Sequence, residues 1–382
     1  MRVVVAPDKF AGTLSSVEAA SAIVEGWLRR APGDEMVQVP MSDGGPGFID
    51  VLHASLGGEV VACTTRDPYG GEVPGAVLVV EATEGRTAYV ECAQALGLHL
   101  TEASERRPLE ATSAGLAPLL EAARESGARR VVVGLGGTAV NDGGAGMLAA
   151  LGAAATDADG QPIDLCAGVG GLEGVARVDV RQVRAGWEHI DLVMASDVDN
   201  PLLGLFGATK TYGPQKGLTE EQLPYAEGRL TELVAAVDAE APGEGAQASR
   251  TPGAGAAGGA GFALALLGAT RTPGVSLVAD AVGLAGAVAG ADLVITGEGA
   301  FDFSSRSGKV PYGVAEAAGA VLAPCIALAG QVLVGSRETR ALGLDAAYSL
   351  VDLVGGDRAF EDPRGSLSDL AERVARTWSR QR

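Results

Sequence analysis

The sequence predicts a largely parallel, doubly wound α/β architecture with an antiparallel patch inserted in its middle. Three features predict it: short runs of β-branched residues recur along the chain, helical apolar periodicity separates several of them, and residues 60–90 offer strands with no helix between. At 382 residues the chain is long for one domain and comfortable for two. With 47% hydrophobic and 20% charged residues it can bury a core without a disulfide or metal staple.

The elements follow in order. Residues 3–5 form a first strand, and Ser15 with Glu18 makes a capping box ahead of Ile23, Val24, Trp27 and Leu28 on one apolar face. Strands at 60–62, 76–80 and 87–90 are separated by Asp67-Pro68-Tyr69-Gly70-Gly71 and Glu84-Gly85, which reads as hairpins and a second domain. A helix over 116–126 stops at Gly127 and feeds a strand at 131–133. Further strands fall at 192–194, 293–295 and 326–328, and a last helix over 366–378 carries Leu370, Val374 and Trp378 at four-residue steps. The Gly/Ala/Pro-rich stretch 241–261 reads either as a flexible linker or as a mobile loop closing over a ligand.

Composition excludes several classes. A net charge of −19 opposes nucleic-acid binding. Four scattered cysteines and three isolated histidines show no metal or disulfide spacing, which suits a reducing, cytoplasmic setting. The uncharged stretches within 250–271 and 316–337 are too Gly-rich or too broken by Pro324, Gly330 and Gln331 to span a membrane. Basic residues total 29, yet only Lys9, Lys210, Lys216 and Lys309 are lysines, all in Gly/Pro-containing segments. A lysine is a compact point charge where arginine is a planar fork, so these four are candidates to face phosphate.

Strand ends running through glycine into a helix are where α/β proteins hold anions. The clearest is Val133-Gly134-Leu135-Gly136-Gly137-Thr138-Ala139-Val140-Asn141-Asp142-Gly143-Gly144, whose glycines exceed what a turn needs. Gly253-Ala254-Gly255-Ala256-Ala257-Gly258 fits GxGxxG but follows no strand, Gly308-Lys309 is no Walker A loop, and no GxSxG elbow is present. Acidic residues close other strand-end segments: Asp43 in Ser42-Asp43-Gly44-Gly45, Asp197 in Ser196-Asp197-Val198-Asp199-Asn200, and Glu298 with Asp302 in Gly297-Glu298-Gly299-Ala300-Phe301-Asp302. Mg²⁺ ligands, cations and one carboxylate base are what phosphoryl transfer needs, so the composition of these segments favours a kinase.

As an ordered set, these segments resemble the bacterial glycerate kinase family of the two-domain, non-P-loop type. The resemblance rests on Ala6-Pro7-Asp8-Lys9-Phe10, Ser42-Asp43-Gly44-Gly45, Ala111-Thr112-Ser113, Gly134 to Gly146, Asp197 to Leu202, Tyr212-Gly213-Pro214-Gln215-Lys216-Gly217, and Gly308-Lys309-Val310-Pro311. It implies a flavodoxin-like domain from both chain ends (1–65 and 275–382) and an inserted mixed α/β domain (66–274), with the active site in the cleft. It implies ATP-dependent phosphorylation of D-glycerate with Mg²⁺, 2-phosphoglycerate being the favoured product, and leaves self-association open.

The site expected on this basis has Asp197 as general base, with Lys309 and Asp43 as further catalytic groups. Asp8, Lys9, Ser15, Asn200 and Lys216 would bind substrate; Gly136, Gly137, Asn141, Gly255 and Gly258 would bind phosphate or nucleotide; Asp142 and Glu298 would bind the metal. The chain departs from the family pattern at Ala11, Pro46, Phe48, Ala300 and 303–307. Those departures keep two rivals standing, a kinase of another hydroxy acid or polyol and a non-catalytic ligand-binding homologue.

Overall fold

The computed structural model describes residues 1–10, 12–82, 85–302 and 309–379, so Ala11 and positions 303–307 lie outside the described residues. The chain forms two compact units: one from residues 1–43, 50–57 and 273–382, the other from residues 44–49 and 58–272. Eleven strands build the two main sheets: β1 (Arg2–Val5), β2 (Glu35–Gln38), β3 (Glu59–Arg66), β4 (Glu72–Ala82), β5 (Gly85–Glu91), β6 (Arg130–Gly134), β7 (Asp191–Ala195), β8 (Thr270–Thr272), β9 (Leu293–Thr296), β10 (Cys325–Ala329) and β11 (Ala346–Ser349). The fold class is the mixed α/β, parallel-sheet class expected from the sequence.

In the first unit the sheet order is β11-β10-β9-β1-β2, and every pair is parallel. The central strands are near-continuous Val/Leu/Ile because helices cover both faces of such a sheet; Val3, Val4, Val5, Leu293, Val294 and Ile295 are wholly buried. On one face the helix Ser16–Arg30, opened by the Ser15–Glu18 capping box, packs Ile23 and Trp27 against Leu367, Leu370 and Val374 of the helix Pro363–Trp378. Gly26 sits at their closest approach, where a Cβ would collide with the carbonyl of Ser368. Strand order reverses at β1, with β2 on one side and β9 on the other. Open α/β sheets bind ligands at the carboxyl ends of strands beside such a reversal.

In the second unit the order is β8-β7-β6-β5-β4-β3. β3, β4 and β5 form the antiparallel meander that the hairpin signals predict, and β5 to β8 are parallel. β3 pairs along its whole length with β4 and lies within this unit.

Other differences have local causes. β2, β8 and β11 were not expected because they are short and only partly buried, so apolar patterning is weak. The stretch 241–261 is neither linker nor mobile loop. It holds the helix Glu244–Arg250, and Ala254, Ala256, Gly258 and Gly259 are buried. Its small residues serve close packing: Gly143 donates its N–H to the carbonyl of Gly258, and a Cβ on Gly258 would run into the carbonyl of Val140. Among the described residues, no helix is long and apolar enough to cross a membrane.

Candidate active site

In the first unit, five of the expected side chains meet at the switch point. Asp8 and Lys9 follow β1, Asp43 follows β2, Glu298 follows β9, and Lys309 caps the helix Val310–Ala320 with Pro311 behind it. Lys9 Nζ lies 3.6 Å from Asp43, and Lys309 Nζ lies 3.8 Å from Glu298 and 3.9 Å from Asp302. Asp8 is only 6% exposed and accepts the N–H of Lys9 at 2.7 Å. Burial pushes its carboxyl up to about 7; the Asp43 carboxylate adds to this, Lys9 opposes it, and Glu298 adds a smaller push. Among the described residues, the cluster sets Asp8, Asp43 and Glu298 beside two lysines, Lys9 and Lys309.

The second unit organises the Asn141–Asp142 loop. Asp142 is fully buried, and its oxygens accept the N–H and hydroxyl of Ser113 and the N–H groups of Gly144 and Gly146, at 2.7 to 3.2 Å. Despite these four donors, burial leaves its carboxyl above the usual range. Oδ2 takes three of these donors and Oδ1 one, so Asp142 anchors the loop. Asn141 donates to the Thr209 hydroxyl at 3.1 Å, and its buried Oδ1 has no partner among the described residues. Asp197 is half-buried after β7, in a segment whose Ser196 and Val198 carbonyls are held by Arg271.

Lys216 lies inside the second unit. It is 3% exposed, and its Nζ donates to the Val140 carbonyl at 2.6 Å, propping the loop from beneath. Burial pulls its ammonium from an ordinary 10.5 down to about 8, against the attraction of Asp142. Because the folded value is depressed, the unfolded chain binds more protons between those limits, so this residue makes stability rise with pH through that window. Urea midpoints of the wild type should therefore gain on those of Lys216→Met between about pH 8 and pH 10; a constant gap would refute it.

Other expected binding groups also have partners within the protein. The Ser15 hydroxyl accepts the Glu18 N–H and donates to the Glu18 carboxylate, completing the helix cap. Ser15→Ala should cost about 1 kcal/mol of stability and leave KM for the acceptor unchanged, read by denaturant melts beside initial rates. The Asn200 side chain is spent on the Phe206 carbonyl and the Tyr212 hydroxyl. Gly136 and Gly137 lie against Gly45 and Pro46, and Gly255 lies under the Pro201 carbonyl, so these glycines meet protein at the point where a side chain would grow.

Sequence reasoning missed Glu91, a carboxylate 6% exposed that accepts the N–H groups of Gly47 and Ile49 at 3.1 and 3.3 Å. The signal was there: an acid closing the strand Thr87-Ala88-Tyr89-Val90. Among the described residues, no three His, Cys, Asp or Glu side chains group tightly enough to hold a metal ion by themselves.

A parallel sheet whose switch point gathers three carboxylates and two lysines is the equipment of an α/β phosphotransferase. The kinship is specific. The Glycerate kinase family model matches residues 3–379. The chain is 38% identical over 377 residues to glycerate kinase of Bacillus subtilis (strain 168), covering 98% of this chain and 96% of that one. It is 36% identical over 379 residues to glycerate 2-kinase of Escherichia coli (strain K12), covering 99% and 98%. A solved chain from Salmonella typhimurium LT2, named as glycerate kinase 2, superposes with a TM-score of 0.80 at 35% identity, covering 99% and 98%. The chain belongs to the glycerate kinase family and is an enzyme of that family.

Proposed function

We propose that the enzyme transfers the γ-phosphoryl group of ATP to the 2-hydroxyl of D-glycerate, with Mg²⁺, in the cytoplasm. The observation that carries the reading is the cluster of Asp8, Asp43 and Glu298 with Lys9 and Lys309 at the switch point. The name glycerate 2-kinase borne by the Escherichia coli relative supports the choice of hydroxyl. The hydroxyl oxygen bonds to the γ-phosphorus as the bond to the ADP oxygen breaks, and the hydroxyl proton passes to Asp197 as general base. Lys309 and Lys9 neutralise charge on the transferring group and on the glycerate carboxylate.

No three described carboxylates group closely enough to ligate a metal directly, so Asp43 and Glu298 would contact Mg²⁺ through its waters or beside the phosphates that carry it, where it would offset phosphate charge. The test is a proton-coupled ³¹P spectrum of the product from ATP, Mg²⁺ and D-glycerate. A phosphate on C2 has one neighbouring proton and gives a doublet, whereas one on C3 has two and gives a triplet. A triplet overturns the choice of hydroxyl; no phosphorylated glycerate overturns the substrate.

A further inference from the structure

The loops that carry Asp8, Lys9 and Glu298 also wall an apolar pocket in the first unit. Phe10 and Thr13 follow β1, Gly299 and Ala300 follow β9, Gly330 follows β10, and Leu350 follows β11, so every wall but one is a strand's carboxyl end. The remaining wall is Ala359, Phe360 and Pro363. The pocket holds about 200 Å³, below the roughly 300–1,000 Å³ of a pocket for a whole drug-sized ligand. It therefore admits one ring system and excludes a whole nucleotide. Phe360 is 67% exposed, an aromatic face left in water at the rim. The Thr13 hydroxyl gives its hydrogen to the Phe10 carbonyl at 2.9 Å, so what it offers a ligand is an acceptor.

The geometry points to this pocket as the seat of the adenine ring of ATP, with the phosphates leaving toward Lys9 and Lys309. Glycerate is a poor occupant, since its carboxylate and hydroxyls need donors and the walls are mostly carbon. Adenine has two apolar faces to stack on a phenyl ring and an amino edge that donates. In the second unit, by contrast, a Cβ on Gly258 or Gly255 would meet the carbonyl of Val140 or Pro201.

This assignment rests on ATP being the phosphoryl donor, and the experiment separates the two. The protein is irradiated with 8-azido-ATP and Mg²⁺ and the labelled peptides are mapped, while ADP binding to wild type, Phe360→Ala and Ala300→Trp is measured by calorimetry. Both positions are exposed, so neither variant disturbs the core. The label should fall on peptides containing Phe10 or 359–363. Phe360→Ala should weaken ADP about tenfold by loss of stacking, and Ala300→Trp should weaken it further by filling the pocket. KM for ATP should rise in parallel while KM for glycerate stays within about twofold. Labelling at 136–144 or 253–259, or unchanged ADP affinity in both variants, overturns the assignment. Labelling at the pocket without turnover of glycerate upholds it and sinks the choice of substrate; failure of the wild type to bind ADP sinks the donor and this pocket together.

Discussion

Asp197→Asn should lower kcat by about 10²–10⁴-fold with little change in KM for glycerate, the usual worth of a positioned general base. Asparagine keeps the size and one acceptor oxygen of aspartate but cannot take the proton from the attacked hydroxyl. The residue is half-buried at the carboxyl end of β7. Ser196 and Val198 on either side are fixed through their carbonyls by Arg271, so the substitution leaves the loop in place. Steady-state rates with both substrates varied decide it. Turnover within a few-fold of wild type would remove Asp197 from the chemistry.

Lys309→Met should lower kcat by about 10²–10³-fold, the typical cost of losing one preorganised charge at a phosphoryl group. Its effect on stability should be small. The side chain is 34% exposed, and its contacts with Glu298 and Asp302 are long, at 3.8 and 3.9 Å; the one with the exposed Asp302 is worth about 0–1 kcal/mol. Such loose pairing suits a cation that must exchange carboxylate partners for a substrate's phosphate. Lys309→Arg should recover only part of the rate, because the planar fork spreads the charge that the ammonium concentrates. Rapid-quench single turnovers separate this from slow product release; a variant losing stability but not rate would refute the role.

The β-branched runs were legible because central strands of a parallel sheet are buried on both faces, as the wholly buried Val3–Val5 and Leu293–Ile295 pairing shows. β2 and β11 escaped because an edge strand with one poorly covered face carries no such run. Acids at strand ends pointed to Asp43 and Glu298, and the family resemblance to Asp8; the three follow β2, β9 and β1. Residue type alone did not show the internal hydrogen bonds of Lys216, Ser15 and Asp142. A lysine, a serine and an aspartate look the same in sequence whether they face a ligand or hold a carbonyl, a helix end or a loop. The glycines of 253–259 likewise announce close approach but not what approaches; here it is the 140–143 backbone.

The central strand β1 takes one neighbour, β2, from nearby sequence and the other, β9, from nearly three hundred residues later, Val3 standing beside Leu293. A ribosome makes chains from the amino end, so the sheet's first strands emerge and wait while the whole second unit, ending at Thr272, is synthesised and can collapse. Until then the unpaired edge of β1 is a template for any passing strand. Nascent chains stalled short of residue 293 should accordingly be protease-sensitive at their start and need a chaperone's cover, whereas the interior of the polypeptide is already resistant.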